Sequence, residues 1–225
     1  METIGQLREY LQKQDVYDLD DVNEKFKEIA DFLMNKCVVK VGTRKFRMME
    51  IEFYLFSEKH PDIIAYPRTN MDGGEWFFHA SGVDICFNSQ CEQDSDGIFK
   101  MDEKKDKFGG ILIRSIVELD DHLKPIGKAD VGPIKSMDVL FKKIDAFDRE
   151  KSREQIAVIV EEKNLTETVV ESTTRRILVR NGNKAKVKTI LSENYKIKDL
   201  GTIDQWVEAF GESLGYEWRF VGKEG

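Results

Sequence analysis

The sequence predicts an α+β fold on a mainly antiparallel sheet, and three observations carry that expectation. Helix-like and strand-like segments are mixed without the regular strand–helix alternation that builds a parallel sheet. Two stretches carry hairpin signals, one around Gly42 in CVVKVGTRKFRMM and one around Asn181-Gly182-Asn183. MMEIEFYLF, residues 48–56, alternates strictly. That alternation puts Met49, Ile51, Phe53 and Leu55 on one face of a strand and Glu50, Glu52 and Tyr54 on the other.

Taken in order, residues 4–34 read as two helices separated near residues 15–21, the second carrying Val22, Phe26, Ile29, Ala30 and Leu33 at helical spacing. CVVKV and RMMEIEFYLF follow as a hairpin. SEKHPDIIAYPRTNMDGG holds two of the four prolines and ends in Gly-Gly, so it reads as a long connection, a kind of segment that is often functional. EWFFHASGVDICFNS and ILIRSIVEL are expected as strands on either side of a polar loop. Helices are expected in SMDVLFKKIDAF, capped by Ser136, and in SREQIAVIVEEKN. The basic stretch from Thr174 supplies a hairpin, IDQWVEAFGESLG a last helix and YEWRFV a terminal strand.

The length of 225 residues suits one sizeable domain or two small ones, and one domain over residues 1–225 is expected; 40% hydrophobic and 10% aromatic residues suffice for a packed core. No run of about 18 apolar residues suggests a membrane span. The start, METIGQLREYLQ, lacks the apolar centre of a secretory signal. Three cysteines, Cys37, Cys86 and Cys91, leave at least one unpaired, which argues for a reducing, cytoplasmic setting.

A formal charge of −7 argues against a surface coated for nucleic acid, but it averages over an asymmetry. Residues 174–198 hold three arginines and five lysines against Glu193 alone, so this strip carries +7 and the rest of the chain −14. Arg175, Arg176, Arg180, Lys184, Lys186 and Lys188 have the character of a phosphate-backbone footprint. A solvated hairpin would have the same profile.

Familiar phosphate, dinucleotide and zinc-protease motifs are absent. Cys86 and Cys91 with His79 match no common zinc spacing, and Cys86 in DICFN reads as a packing residue, so neither a metal nor a cofactor is expected. What stands out is the polar face Glu50, Glu52, Tyr54 together with Arg114 inside ILIRSIVEL. An arginine in an apolar strand costs free energy unless a carboxylate or a ligand meets it, so pairing with Glu50 or Glu52 is expected. His60 and Asn88 are the other polar residues placed to complete a pocket, and Trp76, Phe77 and Phe78 offer aromatic surface.

EIEFY at 50–54, SGVDICFN at 81–88, ILIRSIVEL at 111–119 and GPIK at 132–135, preceded by ADFLMNKCVVKVGTRKFRMM, resemble in order and spacing the alkyladenine (3-methyladenine) DNA glycosylases. The likeness covers about residues 28–145 and leaves the N-terminal helices and the C-terminal helix and strand as additions. It implies one α+β domain with a curved sheet flanked by helices. It also implies a monomer that flips a damaged purine from DNA and hydrolyses its glycosidic bond without metal or covalent intermediate. By position, Glu52 would activate water and Arg114 would hold the water and carboxylate. Tyr54 and Phe78 would sandwich the base, Asn88 would screen it at the pocket edge, and His60 would match a loop histidine, although it follows Tyr54 closely.

One departure bears on activity. Ser81 stands where the family places a bulky intercalating side chain, and a serine cannot fill the gap left by an extruded nucleotide. A second reading therefore stands beside the enzyme: a glycosylase-fold protein that binds a nucleobase, nucleotide or nucleic acid without cutting. A third is a different α+β protein in which Glu52 and Arg114 form a structural pair.

Overall fold

In a computed structural model of the chain, the structure describes residues 1–62, 64–93, 95, 97, 102, 104–175 and 216–223. Thr3 opens helix α1 (Ile4–Gln12) with a reciprocal cap. Its hydroxyl accepts from the Gln6 backbone N–H, and the Gln6 side chain accepts from the Thr3 N–H. A 3-10 turn (Asp15–Asp18) leads to α2 (Asn23–Lys36), which buries Phe26, Ile29, Ala30 and Leu33 at three- and four-residue spacing. The β-branched run that follows switches the chain directly into β1 (Cys37–Val41), and Gly42, at φ +62°, turns it into β2 (Arg44–Phe56).

The remaining strands are β3 (Trp76–His79), β4 (Gly82–Cys86), β5 (Phe108–Leu119), β6 (Asp130–Val131), β7 (Val158–Glu161), β8 (Val169–Thr173) and β9 (Arg219–Lys223). They form one curled antiparallel sheet in the order β3-β4-β5-β2-β1-β7. β2 is its spine. One edge pairs with β5 along almost its whole length; the other pairs first with β1 and then, at Glu50–Glu52, with β9, which is itself paired to β8. The α+β class is therefore as expected.

α2 and α1 cover one face. Phe26 stacks on Phe53 at 4.2 Å, and Phe46, Met48, Ile51, Leu55, Ile85, Phe87, Ile111 and Ile113 complete the core. Each buried aromatic or aliphatic side chain there contributes about 1.5–3 kcal/mol. Leu7 and Leu11 near one end of the sequence and Trp218 and Phe220 near the other lie in the same cluster.

Four expectations are corrected. Met49 does not share a face with Ile51: β2 and β5 both bulge at the level of Met49 to Arg114, so Met48 and Ile116 enter the main core while Met49 packs against a second cluster with Val38, Val117 and Leu119. EWFFHASGVDICFNS is a hairpin, β3 and β4, with Ser81 in its turn. Helix α3 (Pro133–Phe141) starts three residues early. Gly132 at φ +115° caps it and Pro133 occupies its first turn, while Ser136 is buried one turn inside. SREQIAVIVEEKN divides into a short helix α4 (Arg149–Glu154), capped by Asp148, and strand β7, where the β-branched run pairs with β1. The Asn181-Gly182-Asn183 hairpin and the helix in IDQWVEAFGESLG lie outside the described residues.

Candidate functional site

The face of the sheet opposite α2 is polar and buried. Register fixes which residues share it. Phe77 pairs with Asp84, Asp84 with Leu112, Leu112 with Glu52 and Glu52 with Arg219, so these five form one row across β3, β4, β5, β2 and β9. Cys86, Gly110 and Tyr54 form the next row.

At the centre is Glu52, fully buried. Its Oε1 accepts a hydrogen bond from the Tyr54 hydroxyl at 2.8 Å, and Arg114 Nη1 lies 2.6 Å from Oε2. That second contact is an ion pair whose N–H does not point at the oxygen, so Oε2 is buried without an aligned donor. Arg114 Nε instead donates to Glu50 Oε1 at 2.9 Å, and Arg219 Nε donates to the same oxygen at 2.6 Å. The bulge at Arg114 brings this side chain between the two glutamates. Burial pushes the Glu52 carboxyl above its ordinary 4.5, and the Arg114 charge and the Tyr54 hydrogen bond only partly oppose it. Burial likewise pushes the Tyr54 phenol well up, and the charge of Glu52 adds to that.

The long connection of residues 57–74 supplies the rest. Asp62 folds back under β2, accepting from the Leu55 N–H at 3.2 Å, and binds Arg175 in a two-point pair at 2.6 and 3.1 Å. The Arg175 guanidinium lies over three rings, Tyr54 at 5.1 Å, Trp218 at 5.1 Å and Tyr216 at 5.3 Å. Arg68, also from the connection, is fully buried and donates from Nη2 to Asp84 Oδ2 at 2.9 Å and from Nε to the Tyr66 carbonyl at 3.1 Å. His79 Nε2 is 3.0 Å from Asp84 Oδ1. Because the Ser81 N–H donates to His79 Nδ1, the proton sits on Nε2 and His79 is the donor to Asp84. Burial alone would raise Asp84, but His79 and Arg68 outweigh it and hold the carboxyl below its ordinary 3.8.

Of the residues singled out from sequence, Glu52, Tyr54 and Arg114 are brought together, with Glu50 beside them. The others are not. Phe78 pairs with Val83 and so faces away from Glu52; it is 52% exposed and meets Phe141 edge-on. The strand residue on the polar face is Phe77, which lies beneath the Arg68 guanidinium at 4.2 Å. Asn88 docks on the end of α1, its backbone N–H and Nδ2 donating to the carbonyls of Leu11 and Gln12 at 2.8 Å each. His60 packs edge-on against Trp218, bonds to the Leu19 carbonyl and lines a cavity of about 500 Å³ with Tyr216, Trp218 and Phe220. Arg175, expected as a surface contact to a phosphate backbone, is turned inward, its side chain fully buried against Asp62. Arg176, Arg180, Lys184, Lys186 and Lys188 lie outside the described residues. Ser81 hydrogen-bonds through its hydroxyl to Tyr66 at 2.9 Å.

Asp62, Arg68, Asp84 and Arg219 were missed. One signal pointed toward Arg68: the Gly109-Gly110 pair inside a strand, where a missing side chain often marks close approach. A Cβ on Gly110 would stand 2.7 Å from Arg68 Nη1 and 3.0 Å from Asp84 Cβ.

All three cysteines are free and buried, and burial pushes the Cys37 and Cys91 thiols up to about 12. Such thiols stay protonated and do not act as nucleophiles. Among the described residues no group of three or more histidine, cysteine or acidic side chains is placed to hold a metal ion, and no helix is long and apolar enough to cross a membrane.

No protein-family model matches the chain, and no solved structure does. The chain is 31% identical over 150 residues to an uncharacterised protein of Acanthamoeba polyphaga mimivirus. That alignment takes in 57% of this chain and 64% of the viral protein, so the chain spans less than two thirds of the relative's length.

Proposed function

We propose that the chain is an N-glycosidic hydrolase acting on an alkylated or deaminated purine in DNA, with Glu52 as the general base for water and Arg114 as the cation that steadies it. One observation carries this reading. Glu52 is a buried carboxylate with a raised pKa, fixed by Tyr54 on one oxygen and left without an aligned donor on the other. Glycosidic cleavage develops positive charge on the sugar, and a carboxylate both offsets that charge and takes the proton of the attacking water. A raised pKa makes Glu52 a stronger base. In this reading the wall facing Tyr54 comes from Tyr216 and Trp218, whose rings gather round the same guanidinium as the Tyr54 ring, and not from Phe78.

Single-turnover excision from labelled duplex and single-stranded oligonucleotides carrying hypoxanthine, ethenoadenine or 3-methyladenine tests it. The wild type is expected to release one of these bases, and Glu52→Gln to lose about 10²–10⁴-fold in rate. Excision unchanged by the substitution sinks the mechanism. One observation favours the second reading, a protein that binds a base without cutting it: Ser81 lies in a hairpin turn bonded to Tyr66. Base binding with no excision would select that reading.

A further inference from the structure

Arg175, like Arg68, is a cation fully enclosed in the polar face, and its surroundings are those of a recognition site. Three aromatic rings face one guanidinium at 5.1–5.3 Å, and one carboxylate grips it at two points. Rings and a carboxylate around a planar cation recur wherever such cations are bound, because the ring faces are electronegative and the carboxylate matches the fork of the guanidinium. The residues come from separate parts of the chain: Tyr54 from β2, Asp62 from the long connection, Tyr216 and Trp218 from the segment leading into β9. Asp62 is fixed independently by the Leu55 N–H, so the carboxylate stays in place whether or not the guanidinium is there. The face of Tyr54 that would receive a planar ligand is thus already covered by a side chain of the protein itself.

We propose that Tyr54, Tyr216, Trp218 and Asp62 form a cation box that Arg175 fills as an internal latch, so that a planar ligand reaches the Tyr54 ring only when Arg175 withdraws. The latch rests on the reading of Tyr54 as a ligand wall; the box does not. Arg175 stands two residues beyond the end of β8 and is the first cation of the strip of residues 174–198, whose charge is +7. A phosphate backbone drawn to that strip competes with Asp62 for the guanidinium, which couples nucleic-acid binding to opening of the box.

The test uses the full chain as wild type, Arg175→Ala and Arg175→Lys. In the first arm, guanidinium chloride at about 1–20 mM is compared with sodium chloride at equal ionic strength, and melting temperature is read. Guanidinium is expected to raise the Arg175→Ala protein saturably, as a ligand for an emptied site must, with no such rise in the wild type. Equal responses of the two proteins overturn the box. In the second arm, adenosine and inosine are titrated calorimetrically. Arg175→Ala is expected to bind about tenfold or more tightly than wild type, because the share of molecules with an open site is no longer limiting. Arg175→Lys, which keeps the charge but loses the planar fork, is expected in between, and it carries the same comparison if the alanine variant does not fold. Equal nucleoside affinities overturn the latch and leave Tyr54 as a base wall. Guanidinium rescue with no nucleoside bound by any of the three proteins overturns both the base-wall reading and the latch.

Discussion

Glu52 and Asp84 stand in the same row of the same sheet face, separated by Leu112, and both are buried. Their environments push them in opposite directions. Asp84 receives Arg68 on one oxygen and His79 on the other, both as hydrogen-bond donors, and its carboxyl is held below the ordinary value. Glu52 receives one aligned donor, from Tyr54, and an Arg114 that lies close through Nη1 without aligning while its Nε donates to Glu50, and its carboxyl is raised. Burial is the largest influence in both cases, so the difference lies in how completely donors answer it. A carboxylate with both oxygens matched is a structural tie. One left under-matched at cost to the fold is a candidate for chemistry, since unspent basicity is what a general base requires.

The largest expected consequence falls on the structural side. Arg68→Ala strands Asp84 in the interior and should lower stability by about 3–5 kcal/mol, measured by urea unfolding. A loss below about 1 kcal/mol would mean that Asp84 is not tied as the geometry shows. Gly110→Ala comes next. The added methyl meets Arg68 and Asp84 inside ordinary contact distance, so the tie must shift, at a cost of about 1–3 kcal/mol. No loss at all would show the Arg68 layer to be loosely packed. The smallest effect is expected at Phe78, whose ring is half exposed on the opposite face. Phe78→Ala should cost about 0.5–1.5 kcal/mol through its edge contact with Phe141 and leave base binding unchanged. A selective loss of binding would return Phe78 to the site.

The two clusters also differ in how far the sequence disclosed them. Glu50, Glu52, Tyr54 and Arg114 were legible because strand alternation places side chains without knowledge of the fold, and an arginine in an apolar strand demands a partner. Phe78 came from the family resemblance, which carries no register, whereas the β3–β4 hairpin sets Phe77 opposite Asp84 and turns Phe78 to the other face. Arg68 and Asp62 sit in an irregular connection with no periodicity to announce an inward turn. Arg219 was invisible as a site residue because nothing local says that the last strand pairs with the middle of β2. The β7 segment was read as helix because a short apolar run flanked by charges has no decisive period of its own, and pairing with β1 decided it.

The contrast between the two carboxylates is tested most directly by unfolding free energy against pH for wild type, Glu52→Gln and Asp84→Asn. Asp84, held down in the folded protein, stabilises fully above 3.8 and loses that contribution as pH falls through its folded value, so the deficit of Asp84→Asn should shrink in acid. Glu52, raised in the folded protein, is most favourable below 4.5 and loses that contribution as pH rises through its folded value, so Glu52→Gln should gain on wild type between pH 4.5 and neutrality. The account predicts difference curves that both rise, Asp84→Asn toward acid and Glu52→Gln toward neutral pH. Parallel curves, with the Glu52→Gln deficit also shrinking toward acid, would contradict it and make Glu52 a second structural tie.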